Sequence, residues 1–165
     1  MSIDPRPKEK SGFTRILIVD DSAETRELMI RRVNAAGYAN VLTAESACDA
    51  FQILWMLDQP HDVPEIDLIL MDISLPGIDG IEACRRITSA PRLRNIPILI
   101  VSAHNGCGYP EAAFEAGATD YISKSMIRVE LEPKVRSALA MKQASGQHPS
   151  LKDREAAPAG PRTRT

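Results

Sequence analysis

The chain has 165 residues, of which 44% are hydrophobic, and a formal net charge of −2. That length and apolar content suit one domain with a real core, and so small a net charge excludes a strong bulk attraction to nucleic acid or to an anionic membrane. No apolar run approaches the ~20 residues of a membrane span, and the opening M-S-I-D-P-R-P-K-E-K lacks the apolar core of a signal peptide, so the expected location is the cytoplasm.

In chain order, residues 1–14 are expected to form a flexible arm. Ile16-Leu17-Ile18-Val19 is an apolar run that reads as a first strand and ends in Asp20-Asp21. A helix follows from about Ser22, with Asp21 and Glu24 spaced as a capping box; Leu28, Met29, Val33 and Ala36 recur at helical spacing and Gly37 is a natural stop. Residues 38–43 form the second strand, and residues 46–57 a second helix with Phe51, Leu54 and Trp55 on one face. Trp55 is read as core, and as a reporter whose fluorescence a bound cation would quench. Residues 58–65, D-Q-P-H-D-V-P-E, are a loop.

Leu68-Ile69-Leu70-Met71 then reads as a strand buried on both faces, ending on Asp72. Pro76-Gly77 forces a turn, and a third helix over residues 79–89 points Ile81, Cys84 and Ile87 inward. The fourth strand covers residues 97–102. A short fourth helix containing residues 112–116 follows the glycine-rich N-G-C-G-Y-P and stops at Gly117, and residues 119–122 are the fifth strand. The last helix carries Leu131, Val135, Ala138 and Leu139 at i, i+4, i+7 and i+8, with Pro133 expected in its first turn. The folded unit is expected to span residues 15–142, with a disordered polar tail or linker over residues 143–165. Three cysteines far apart, Cys48, Cys84 and Cys107, fit neither a disulfide framework nor a zinc site.

Five strands alternating with five helices imply an α/β fold: a five-stranded parallel sheet covered on both faces, flavodoxin-like with order 2-1-3-4-5. In such sheets ligands bind at the carboxyl ends of the strands. That edge carries Asp20 and Asp21 after strand one, Asp72 after strand three, Ser102 after strand four and Lys124 after strand five. Carboxylates crowded together repel: at an effective dielectric near 20, two unit charges 4 Å apart interact by about 4 kcal/mol. A hard cation relieves this, and Mg²⁺ is the plentiful one. The set suits phosphoryl chemistry, with a carboxylate as nucleophile, lysine and cation neutralising the transferred group, and a hydroxyl donating to its oxygens.

These residues resemble those of the receiver domain of a two-component response regulator, of the chemotaxis-regulator kind. The resemblance rests on Asp20-Asp21, on Asp72 within D-I-S-L-P-G-I-D-G, on Ser102-Ala103, on Tyr121 within G-A-T-D-Y, and on Lys124. The intervals of 30, 19 and 3 residues from Asp72 to Ser102, Tyr121 and Lys124 in turn match the family's ungapped spacing. It covers about residues 14–142. It implies that Asp72 accepts phosphate from a histidine kinase or a histidine phosphotransfer protein. Mg²⁺ would be held by Asp21 directly, by Asp20, by Asp72 and by the backbone carbonyl of Ser74. Ser102 and Tyr121 would form the switch pair, and the chain would dock a downstream protein or a second copy through helix 4, strand 5 and helix 5. No nucleic-acid or membrane contact is implied, and the only catalysis is of the chain's own phosphorylation and dephosphorylation.

Two departures stand out: the loop at residues 58–65 is long, and Ser125 follows Lys124 where the family usually has a proline after a cis bond. Blander readings remain beside the sharp ones: Asp72 as a helix cap, Asp20 as a solvated neighbour of Asp21, Ser102 as a plain strand-end hydroxyl, Tyr121 as packing, His104 as an exposed polar residue rather than a screen against water, and Cys107 as a loop cysteine. Three function classes follow. The first is a phosphorylation switch, either a single-domain regulator or a receiver from a longer one. The second is an aspartyl-nucleophile phosphatase of the haloacid dehalogenase type, disfavoured because Ala23 stands where D-x-D needs its second acid. The third is a pseudo-receiver that binds partners without phosphate, disfavoured by the intact Asp21, Asp72 and Lys124.

Overall fold

Unbroken apolar runs become the strands of a single parallel sheet. A computed structural model of the protein describes residues 13–56, 65–104 and 106–146. The elements are β1 (Arg15–Val19), α1 (Ala23–Ala35), β2 (Asn40–Ala44), α2 (Ala47–Met56), β3 (Leu68–Met71), α3 (Gly80–Ser89), β4 (Ile98–Ser102), α4 (Tyr109–Glu115), β5 (Asp120–Ser123), a 3₁₀ turn (Lys124–Met126) and α5 (Ile127–Gly146). The sheet order is β2-β1-β3-β4-β5, the flavodoxin-like order expected. Most of the N-terminal arm, nearly all of the long loop and residues 147–165 of the tail lie outside the described residues.

Side chains alternate between the two faces of a strand, so each apolar run feeds two cores. Leu17, Val19, Ile69, Met71, Ile98 and Ile100 pack with Ala47, Leu54, Ala83, Cys84, Ile87 and Ala113 beneath α2, α3 and α4. Ile16, Ile18, Leu68, Leu70, Leu99 and Val101 pack with Met29, Val33, Leu131, Val135 and Ala138 beneath α1 and α5. Burial on both faces is why β3 and β4 show no polar alternation. Cys84 lies wholly inside, where burial pushes its thiol up to about 11; all three cysteines are free.

Several local expectations need correction. The cap of α1 is Ser22, whose hydroxyl accepts from Thr25 N; Asp21 lies one residue outside the box proposed for it. Pro133 sits within α5, not in its first turn, because the helix begins six residues earlier at Ile127. There it removes one backbone donor, a loss that the buried stripe beneath outweighs. The helix also continues past residue 142: Lys142 Nζ reaches Asp67 Oδ1 at 3.0 Å and the Ile66 carbonyl at 3.3 Å, tying the last turns to the start of β3. Trp55 is not core. It is 50% exposed, and its ring meets Phe51 edge to face at a centroid distance of 5.5 Å. Leu54 takes the inward position instead.

Candidate functional site

Strand register assembles the site before any side chain is considered. Val19 pairs with Met71, so the next residues, Asp20 and Asp72, emerge side by side. Their N–H groups continue the ladder, Asp20 N to the Ala44 carbonyl at 3.1 Å and Asp72 N to the Val19 carbonyl at 2.9 Å. Ser102 pairs with Ser123, which places Lys124 one step beyond the same edge.

Lys124 Nζ lies 2.9 Å from Asp20 Oδ2 and 3.1 Å from Asp72 Oδ2. Among the described residues no peptide bond is cis, so the Lys124–Ser125 bond is trans and the lysine still reaches both acids. Asp20 is fully buried and Asp72 nearly so, whereas Asp21 is exposed at the mouth. One ligand atom from each of the three lies within 4.8 Å of the others. Asp20 Oδ1 accepts from Ser22 N at 2.8 Å. Asp20 Oδ2 makes no aligned hydrogen bond despite the nearby ammonium. A buried carboxylate oxygen without a hydrogen bond, beside two further carboxylates, fits a hard divalent cation.

Burial, and then the charge of Asp20, raises the pKa of Asp72; Lys124 and the N–H of Ser74 pull it back. Burial works against the Lys124 ammonium, but the adjacent carboxylates of Asp20 and Asp72 outweigh that and raise its pKa. Burial thus works against both charges, while each partner favours the charged form of the other.

The loops add parts that the spacing did not reveal. Ser74 places its N–H 3.4 Å from Asp72 Oδ1, and its hydroxyl 2.6 Å from His104 Nε2. His104 also stacks on Tyr109 with centroids 4.7 Å apart, its N–H donates to Ser102 Oγ at 3.1 Å, and its carbonyl accepts from the Tyr121 hydroxyl. The exposed polar reading of His104 is therefore replaced by a bridge from the loop after β3 to the first residue of α4. Ser102 is fully buried, Tyr121 packs partly against the core, and Ala103 between Ser102 and His104 is open to solvent.

Arg26 was also missed. Its Nη1 donates to the Asp20 carbonyl at 2.6 Å and its Nη2 to Glu45 Oε1 at 3.0 Å, with only 14% of the side chain exposed. A helix turn after the Ser22 cap brings it back over the acidic turn; the capping register was the only signal for it in the chain. Arg26→Ala is expected to weaken divalent-cation binding severalfold in calorimetric titration. A charged donor of this kind is worth about 1.5–3 kcal/mol. Arg26→Lys should recover part of the loss, and unchanged affinity in Arg26→Ala would show that the clamp does not position Asp20.

Gly80 sets the distance between α3 and the site. A Cβ there would fall 1.9 Å from the Asp72 carbonyl oxygen and 2.9 Å from Ile73 Cα, both backbone atoms with no room to yield. Gly80→Ala is expected to cost at least about 1–3 kcal/mol in denaturant unfolding and to weaken cation binding, because the displaced atoms carry Asp72. A variant as stable as the parent would refute the close approach.

The comparisons agree with this geometry. Residues 16–136 match the response regulator receiver domain family. Response regulator PleD of Caulobacter vibrioides is 34% identical over 128 residues, which is 78% of this chain and 26% of PleD. Response regulator MprA of Mycobacterium ulcerans is 34% identical over 127 residues, 76% of this chain and 50% of MprA. The crystal structure of a LuxR-family two-component response regulator from Aurantimonas is 35% identical with a TM-score of 0.67, covering 78% of this chain and 86% of that one. The chain thus spans about a quarter to a half of the length of those two curated relatives. Since the match takes in the sheet edge where Asp20, Asp72 and Lys124 meet, this chain belongs to the receiver domains of two-component response regulators.

Proposed function

We propose that the chain is a phosphorylation-dependent switch in which Asp72 accepts a phosphoryl group from the phosphohistidine of a kinase or phosphotransfer protein. The observation that carries the reading is Lys124 bridging Asp20 and Asp72, with Asp21 alongside and one buried oxygen of Asp20 left without a hydrogen bond. A carboxylate oxygen of Asp72 forms the new P–O bond as the P–N bond breaks, and the imidazole leaves neutral with the electron pair, its other nitrogen carrying a proton. Asp20, Asp21, Asp72 and the backbone at Ser74 would hold Mg²⁺, which supplies positive charge to the transferring phosphoryl oxygens. Lys124 holds the acceptor in place and meets charge on the product. Its only catalytic work is on its own acyl phosphate.

The output follows from the loop bridge. A phosphoryl group on Asp72 draws the Ser102 hydroxyl, and Ser102 is bonded to His104 N, so His104, Tyr109 and Tyr121 shift with it. That moves the balance of a surface formed by α4, β5 and α5, which docks a downstream protein or a second copy. Ser102→Ala should still be phosphorylated by acetyl phosphate, but its amide-exchange response to beryllofluoride over residues 106–121 should fall to a small fraction of the parent's. A full response in Ser102→Ala, or one confined to α1 and α2, would rule out this route. The test of the function itself is a base-labile label on Asp72 from acetyl phosphate with Mg²⁺; its absence would favour a receiver that binds partners without phosphate.

A further inference from the structure

The two ends of α4 are held very differently. Carbonyls at a helix C-terminus have no intrahelical partner. The one on Ala116 takes the Thr88 hydroxyl of α3 at 2.7 Å and the buried Cys84 thiol at 3.6 Å. The hydroxyl carries one proton, and Ala116 is the nearest of three carbonyls around it; Cys84 stands at 2.9 Å and Arg85 at 3.2 Å. A Cβ on Gly117 would fall 2.8 Å from both Cγ2 and Oγ1 of Thr88, so the bare glycine lets this end of α4 close on α3. The chain just beyond is tied as well. Thr119 N donates to the Ile98 carbonyl at 2.8 Å, and Ile98 N to Thr119 Oγ1 at 3.3 Å.

The N-terminal end is held more lightly. Its cap, Gly108, is exposed and offers no side-chain hydrogen bond, and the first-turn residues Tyr109 and Glu111 are exposed too. The buried anchors, Ala113 and Ala116, both belong to the far half. What meets the near end is the His104 ring, stacked on Tyr109, and His104 is bonded in turn to Ser102 and Tyr121. A pull from Ser102 therefore acts on one end of a helix ~10 Å long whose other end is tied. Segments with few buried contacts open at low free energy, so the near half yields first.

We propose that α4 responds as a lever: Thr88 of α3 holds its C-terminal end as the pivot, and its N-terminal half swings with His104. This rests on the phosphorylation switch proposed above and adds where its surface changes. Tyr109, Pro110 and Glu111 carry the state-dependent part of the docking surface. Phe114, half exposed in the tied half, is presented to a partner in both states. A partner that reads the state must therefore touch the first turn of α4.

Amide exchange of the full chain, resolved by NMR, tests this without and with Mg²⁺ and beryllofluoride, whose binding its fluorine signal reports. In the parent, the Ala112 amide, bonded to the Gly108 carbonyl, is expected to change its exchange rate about fivefold or more, while Gly117, Ala118 and Thr119 stay within about twofold. Thr88→Val keeps the shape and removes the hydroxyl. In it Gly117 and Ala118 should respond to beryllofluoride as well, and Thr88→Ser should restore the parent's pattern. A Thr88 that only stabilised the fold would speed those two amides equally in both states, and that result would overturn the proposal. So would a parent response at Gly117, Ala118 and Thr119 as large as at Ala112, or a response at Tyr121 with none at Ala112; either leaves the switch itself standing. No response anywhere over residues 106–121 with beryllofluoride bound would remove the switch, and the lever with it.

Discussion

Asp72→Asn is expected to take no base-labile label from acetyl phosphate, where the parent takes it at one site. The amide keeps the size and much of the hydrogen bonding of the carboxylate but cannot form the acyl phosphate. The fold should survive, because the substitution removes a charge that its surroundings disfavour: burial, then Asp20, raises the Asp72 pKa against the pull of Lys124. A carboxyl whose folded-state pKa is raised contributes stability that is fully present below its ordinary value of 3.8 and is lost as pH rises through the folded value. Parent stability should therefore fall relative to Asp72→Asn as pH rises from that ordinary value through the raised one, and the gap should stay level above it. Without metal, the variant should be as stable as the parent or more so at neutral pH. Denaturant midpoints for the two proteins across the acid range would show it. Label that persists in Asp72→Asn would place the acceptor elsewhere. A variant clearly less stable than the parent at neutral pH would mean that the Lys124 pair, not burial, governs Asp72.

Asp21→Ala is expected to abolish Mg²⁺ binding while leaving the sheet intact. The three carboxylates converge within 4.8 Å, and at an effective dielectric near 20 each close pair repels by about 4 kcal/mol before screening. Asp20 and Asp72 already share Lys124. Asp21 is the exposed acid, it has no part in that bridge, and it would give a cation a direct ligand at the mouth. Removing it relieves repulsion and withdraws the ligand, so melting without metal should be equal or higher. The rise in Tm that Mg²⁺ gives the parent should vanish. Calorimetric titration is the direct measure, and an unchanged affinity would move the cation away from this turn. Trp55 is not the reporter for this experiment. It lies beside the last turn of α3 while the site lies at the first.

The strands and the acidic edge were legible because they are written locally. A run such as Leu68 to Met71 can only be satisfied by burial on both faces, and a carboxylate directly after such a run stands at the strand's end in any parallel sheet. The intervals among Asp72, Ser102, Tyr121 and Lys124 are covalent quantities, so the likeness to receiver domains was visible before any fold was known. Helical periodicity picked the buried stripe of α5 correctly, since Leu131, Val135, Ala138 and Leu139 are all inside. It misplaced Pro133, because a stripe says which face is buried and not where the first turn begins.

What only the tertiary structure decided were contacts between residues that nothing local relates. Ser74 and His104 are 30 residues apart, and only the pairing of β3 with β4 brings their loops within 2.6 Å. Arg26 reaches Asp20 because Ser22, rather than Asp21, caps α1 and sets the rotation of that helix. Trp55 shares a helical face with Phe51 and Leu54, so periodicity called it buried. The structure turns Leu54 into the core and leaves Trp55 half exposed, a choice within one helical face that no sequence interval encodes. By itself the sequence determined the order of the elements, the two-sided core and which residues stand at the acidic edge, because periodicity and covalent spacing carry that information. Register, cap rotation and helix packing then decided which neighbours hold those residues and which surfaces stay bare, because each depends on surfaces that meet only once the chain has folded.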